Sequence, residues 1–267
     1  MDRRRLSRLA ASTWRSFADR WLPRGCALCD ATLGAAEEGL CEPCAGALPG
    51  RLSARCPRCG LAARGPARGP AQGHARGPAG GPAGDSARGA AAAAHCAACL
   101  RTAPPFERTL VLADYAPPVD RLVHALKFGG ELALAGALGA RMAPLLQASG
   151  WQADALVPVP LGAGRIATRG FNQSAAIAHG IGRRLGLPVR AGLLARILET
   201  PAQSTLALAE RRGNLAGAFS ASPAAAGLRL VLVDDVMTSG STLEAAAAAL
   251  QAAGAGPVAA LVAARTP

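Results

Sequence analysis

Two kinds of apolar segment alternate along the chain after residue 105. Short runs rich in branched residues at 109–114, 155–158, 228–233 and 258–264 have the length and composition of strands buried on both faces of a parallel sheet. A further short strand is expected at 187–189. Longer stretches at 119–127, 131–146, 173–185 and 243–253 read as helices, the last almost entirely alanine and leucine. Such alternation predicts an α/β domain with helices on both faces of a parallel sheet and ligands at the carboxyl ends of its strands. Upstream, Leu6, Leu9, Trp14, Phe17 and Trp21 roughly follow helical spacing with arginines between them. That pattern predicts an N-terminal basic helix within residues 1–25, packed on its own domain in one reading and on another surface in a second.

The run at 228–233 stops abruptly at two adjacent carboxylates, Asp234 and Asp235, within LVLVDDVMTSGST (residues 230–242). A hydroxyl- and glycine-rich turn and then a helix follow. Ser241 and Glu244 stand in capping-box spacing, which places the first amides of the helix among Thr238, Ser239, Gly240 and Thr242. A terminus of this kind holds a phosphate. Two carboxylates beside it would repel a bare phosphate, so the ligand must also carry donors. A phosphorylated ribose does: its vicinal hydroxyls can donate to Asp234 and Asp235 while the 5′-phosphate sits in the turn and a divalent metal bridges the remaining oxygens. A P-loop is excluded, because it needs Gly-Lys before Ser or Thr and the single lysine, Lys127, stands between Leu126 and Phe128.

Eight cysteines fall into four Cys-x-x-Cys pairs: Cys26 and Cys29, Cys41 and Cys44, Cys56 and Cys59, Cys96 and Cys99. Two such pairs complete one tetrahedral zinc site, so four pairs supply one or two structural Zn2+ ions. Grouping in sequence order puts the first four cysteines on one ion and the last four on another, with interleaved grouping left open. Four thiolates leave no position for water, which makes the role structural. Between Cys59 and Cys96, residues 62–94 are built on Ala-Arg-Gly-Pro repeats that lack the apolar residues needed to offset chain ordering, so disorder is expected there.

Residues 157–173 turn through Pro158 and Pro160 and present Arg165 and Arg169 before Gly170, Phe171, Asn172 and Gln173. Guanidinium forks match phosphate oxygens, so the two arginines are candidates to grip a pyrophosphate, with Asn172 as N-cap of the next helix. Between Arg196 and Phe219 lies a polar region with Thr200, Gln203, Arg211, Arg212 and Asn214.

Charge adds a second theme. The formal net charge is +12, of which residues 1–105 hold +8 and residues 106–267 hold +4. A surplus on the cysteine-bearing part suggests an anionic partner, although nucleotide bias explains a chain in which 28 of 29 basic residues are arginine equally well. No uninterrupted apolar run is long enough to span a bilayer and no cleavable signal follows the N-terminal arginines, so a cytoplasmic location is expected.

LVLVDDVMTSGST resembles the phosphoribosyl pyrophosphate (PRPP) binding motif of type I phosphoribosyltransferases. With CALC, CEPC, CPRCG and CAAC, then ALKFGG, VPVPL, RGFNQ and TPAQSTLALAERRGNLAGAF in order, the chain resembles the ComF/GntX family of competence-associated, phosphoribosyltransferase-like proteins. The resemblance implies a double zinc ribbon over residues 26–105, interrupted by the 62–94 insert, and a phosphoribosyltransferase-like domain over 106–267. It implies PRPP and Mg2+ held by Asp234, Asp235, Met237, Thr238, Ser239, Gly240, Ser241 and Thr242, with Lys127 as a contact and Arg211 on a segment that closes over the site. Arg165 and Arg169 would hold pyrophosphate during transfer of the phosphoribosyl (pentosyl) group to a nitrogen acceptor, in nucleoside metabolism or DNA uptake. Gly162 stands where many relatives carry a histidine. The alternative is an accessory protein that binds PRPP or a nucleotide without catalysis, and single-stranded DNA through its basic zinc module, alongside the DNA-uptake machinery.

Overall fold

The computed structural model describes residues 25–34, 37, 39–48, 54–62, 94–129, 132–198 and 217–267. The expected N-terminal helix, the interior of the Ala-Arg-Gly-Pro insert and Arg211 lie outside them. Four strands form one parallel sheet in the order β1-β6-β5-β2: β1 (Arg108–Asp114), β2 (Ala155–Pro158), β5 (Leu230–Met237) and β6 (Val258–Arg265). Branched and alanine residues suit the two central strands because both of their faces are covered. Along β5, Val231 and Val233 join one core while Leu230 and Leu232 join the other. On β6, Ala259, Leu261 and Ala263 alternate in the same way with Val258, Ala260 and Val262.

The first core lies under α3 (Val119–Phe128), α4 (Leu132–Ala148) and α6 (Gln173–Leu185). The second lies under α7 (Ser241–Ala252) and the antiparallel pair β3 (Leu194–Arg196) and β4 (Phe219–Ala221). Helices thus flank both faces, as expected. Two glycines let α4 and α6 approach closely: a Cβ on Gly139 would sit 2.9 Å from the Gly180 Cα and 2.9 Å from the Ile177 carbonyl oxygen.

Three local expectations change. The segment 187–189 supplies only an isolated bridge, Val189 to Leu156, because two bonds to β2 use up its pairing: the Leu156 amide donates to Pro188 O and the Arg190 amide to Leu156 O, each at 2.9 Å. The arginine-bearing stretch before Gly170 is a helix, α5 (Ala163–Arg169), where a turn was expected. And β5 does not stop at residue 233. It runs four residues past Pro158, its last partner on β2, because β6 continues to pair with it through Asp234, Val236 and Met237.

The cysteine-bearing part contains the same small unit twice. In each, a tight turn over the first Cys-x-x-Cys is closed by a bridge, Gly25 to Thr32 and Arg55 to Ala62, with the amides of Cys26 and Cys56 donating at 2.8 Å to Ala31 O and Leu61 O. The residue after each pair is left-handed, Asp30 at φ 58 and Gly60 at φ +68, and aspartate tolerates that conformation better than most side chains. A short helix follows, α1 (Glu42–Ala47) or α2 (Ala97–Arg101), whose N-caps Cys41 and Cys96 share φ −70 and ψ 158.

Both units pack on the α/β body. Cys26, Leu40, Cys41 and Leu48 belong to the first core, beside residues of α4. The second unit lies along the free edge of β1: the Thr109 amide donates to Pro57 O at 2.9 Å, its hydroxyl to Arg58 O at 2.7 Å, and Arg55 pairs with Asp114 at 2.9 Å. The opposite edge, on β2, is occupied by residues 188–190 through the bonds given above. Among the described residues no helix is long and apolar enough to cross a membrane.

Candidate sugar-phosphate site and metal centres

The overhang of β5 places the acid pair at the carboxyl end of a buried central strand. Asp235 points to the face of α3 and α6 and is only 4% exposed. Its Oδ2 takes Lys127 Nζ at 3.0 Å and Gln173 Nε2 at 3.1 Å, and its Oδ1 takes the Val236 amide at 2.7 Å. Asp234 is half-buried; its Oδ1 accepts from Ser174 Oγ at 2.8 Å and from the Asp235 amide at 2.9 Å. Burial, followed by the charge of Asp235, pushes the Asp234 carboxyl up to about 7 against the opposing pull of these donors and of Lys127.

The N-terminus of α6 is held against the pair. The Asn172 side chain caps it, accepting from the amides of Ser174 and Ala175, and its Nδ2 donates to Val159 O at 3.0 Å just past the end of β2. Asn172 is therefore the N-cap that the sequence predicts, and it brings Gln173 and Ser174 onto the two carboxylates. Those two residues were not predicted as site residues. The RGFNQ string contains the first, but only the fold shows that consecutive side chains serve Asp235 and Asp234.

Of the two predicted arginines, Arg169 joins this network. Its Nη1 donates to Gln173 Oε1 at 3.0 Å, and its guanidinium carbon lies 5.4 Å from the centroid of the Phe128 ring. Arg165 sits one turn earlier on α5 and makes no hydrogen bond or ion pair with the described residues. Phe128, next to Lys127, is 69% exposed and has His124 at 4.7 Å between ring centroids. It brings an exposed aromatic ring to the same network, from an element far upstream of the acid pair.

Beyond the pair come Met237, the buried end of β5, exposed Thr238, half-buried Ser239 and Thr242, and buried Ser241. The expected capping box does not form. Gly240 is the N-cap of α7, left-handed at φ 90, and Ser241 is the first helical residue. Glycine is favoured at this φ, and a Cβ here would also meet Met237 Cε at 2.7 Å. The first bond of the helical ladder is the Glu244 amide to Gly240 O at 2.9 Å, so the amides of residues 241–243 precede it. Ser239 Oγ takes the Ser241 amide at 3.3 Å and lies 2.8 Å from Ser241 Oγ.

The eight cysteines gather as the sequential grouping predicts: Cys26, Cys29, Cys41 and Cys44 in one cluster, Cys56, Cys59, Cys96 and Cys99 in the other, with ligand atoms within 4.8 Å of one another. Sulfur separations of 3.6 Å for Cys29 to Cys41 and 3.7 Å for Cys59 to Cys96 approach the roughly 3.8 Å expected around a tetrahedral ion with bonds of about 2.3 Å. Burial raises the Cys26 and Cys56 thiols, but neighbouring backbone amides outweigh it and hold them at about 6 and about 7, whereas Cys44 is pushed up by the neighbouring thiols and Cys99 by burial, so that one thiol in each cluster ionises first. Both clusters fit structural zinc. His95 belongs to neither.

Known proteins share both parts. The family model described as a double zinc ribbon domain matches residues 17–75, stopping before the last cysteine pair, which the insert separates from its unit. The model described as a phosphoribosyl transferase domain matches residues 174–267. DNA utilization protein YhgH of Salmonella typhimurium is 34% identical over 230 residues, 83% of this chain and 88% of its own. The protein of that name from Escherichia coli is 32% identical over 231 residues with the same coverage. Competence protein F of Haemophilus influenzae is 31% identical over 158 residues, 56% of this chain and 69% of its own. With identity extending over most of both chains, and with the two matched domains in the same order along the sequence, the chain belongs to the ComF/GntX family, phosphoribosyltransferase-like proteins with an N-terminal double zinc ribbon.

Proposed function

We propose that the carboxyl end of β5 binds PRPP with Mg2+ and that the chain transfers the phosphoribosyl group to a nitrogen acceptor. One observation carries this reading: the Asp234–Asp235 pair stands at the end of a buried parallel strand and runs directly into a glycine-capped helix N-terminus. The ribose hydroxyls donate to the two carboxylates, and the turn at 238–242 receives the 5′-phosphate. Mg2+ supplies positive charge to the pyrophosphate oxygens. In the transfer, the bond from the anomeric carbon to pyrophosphate breaks with its electron pair leaving on oxygen, and the lone pair of the acceptor nitrogen forms the new bond. Arg165 and Arg169, four residues apart on α5, are the side chains we assign to meet the charge that leaves. Lys127 neutralises Asp235 between turnovers.

Calorimetric titration with PRPP and Mg2+ tests the reading. Wild-type protein should give a saturable heat that the double substitution Asp234→Asn with Asp235→Asn abolishes. No heat from the wild type, or equal heat from both, would sink it. Pyrophosphate release in the presence of nucleobases or of single-stranded DNA then identifies the acceptor class.

The names of the relatives favour a second reading, in which PRPP or a nucleotide is a signal and the basic cysteine-bearing part holds single-stranded DNA. An oligonucleotide titration between 50 and 200 mM salt decides it: phosphate contacts lower affinity by orders of magnitude over about that range, and a salt-independent affinity would dismiss it.

A further inference from the structure

A buried arginine joins the second cysteine cluster to the phosphate turn. Arg265, the last residue of β6, is 7% exposed, and among the described residues no carboxylate lies within ion-pair distance of it. Its Nε donates to Cys59 O at 3.2 Å. Its Nη1 donates to Met237 O at 3.2 Å, to Thr266 O at 2.7 Å, and to Thr238 O. The same side chain lines a cleft of about 250 Å³ that has Cys59, Cys96 and Cys99 on one side and Ser239 and Glu244 on the other. A buried guanidinium needs compensating negative charge, and four thiolates around a divalent ion carry a net negative charge. The first cluster packs instead on α4, where a Cβ on Gly39 would meet the Ala133 and Leu134 backbone at 3.0 Å.

Peptide planarity turns these bonds into an orientation. The Met237 carbonyl, which also accepts the Thr266 amide at 3.0 Å, and the Thr238 carbonyl both face the guanidinium, so the amides of Thr238 and Ser239, each in the same trans peptide plane as one of those carbonyls, are aimed the opposite way. We propose that Arg265 is a positioning residue of the phosphate turn, fixing Met237 to Ser239 against the second four-cysteine unit, so that phosphate affinity at the turn depends on that unit being held by its metal. The inference rests on the reading of the turn as a PRPP site, and its test separates the two.

In the zinc-loaded full chain, Arg265→Met should accelerate hydrogen exchange of the amides at 238–241 without ligand, and weaken PRPP binding tenfold or more, while two zinc ions per chain are retained. Arg265→Lys, which keeps the charge and loses the fork, should recover part of both. Cys99→Ser should accelerate the same amides. Wild-type exchange at the turn in Arg265→Met would overturn the proposal. Should that variant not fold, wild-type exchange in both Arg265→Lys and Cys99→Ser would do so. A wild type that binds no PRPP removes the sugar-phosphate reading alone, since the exchange result still decides what Arg265 does.

Discussion

At the scale of single residues, the site sets stability against binding through Asp234. Its carboxyl ionises near 3.8 when unfolded and near 7 in the fold, so between those values the native state holds the extra proton. The contribution of this group to the stability of the unliganded protein therefore falls as pH rises from about 4 to about 7 and is not regained above that. Asp234→Asn should raise Tm by about 2–4 °C at pH 8, more than it does at pH 5, on the scale of 1 kcal/mol for a domain of this size. Thermal unfolding at the two pH values checks the sign. Binding should run the other way, with PRPP and Mg2+ affinity rising as pH passes through 7 and Asp234 ionises. The acid pair, the hydroxyl turn and the cysteine pairs were legible because each is contiguous in the chain. Lys127, Gln173 and Ser174 meet the pair only through tertiary packing, across 62 residues for Gln173 and 60 for Ser174, and no local spacing encodes that. Phe128 carries no local signal either, because its ring reaches the network from α3, more than a hundred residues before the acid pair.

At the scale of elements, periodicity found the four sheet strands and the long helices, because their apolar faces are set by the sheet they cover. It misplaced the end of β5, since carboxylates look like a stop whereas the pairing of the strand is decided by how far β6 extends. It misassigned the cap of α7, since Ser241 has the spacing of a cap but Gly240 supplies the left-handed turn. The short β3 and β4 carry too little pattern to be read at all. One contact tests the helix layer directly. Gly139→Ala places a methyl group where α4 and α6 nearly touch, and neither backbone can yield without moving a helix. It should cost about 1–3 kcal/mol, the usual range for overpacking, measured by urea unfolding. A substitution that leaves the midpoint unchanged would show that the helices separate freely.

At the scale of the whole molecule, the cysteine-bearing units share cores and strand edges with the α/β body. Metal removal should therefore reach the sheet. Chelation with loss of both ions should lower Tm and keep one cooperative transition, whereas a small early transition followed by an unchanged main one would mark an independent module. For the same reason, deleting residues 1–105 is a poor test of DNA binding, because it would uncover apolar surface along α4 and β1. The second unit has one more consequence. It lies on the outer side of β1, bonded at Thr109, as residues 188–190 lie on the outer side of β2, bonded at Leu156, so each rim of the sheet is partly covered. A rim stripped of its cover can recruit a strand from another molecule. Chain that has lost the second ion should then form oligomers whose light scattering grows with protein concentration, and restoring zinc before they form should keep the protein monodisperse.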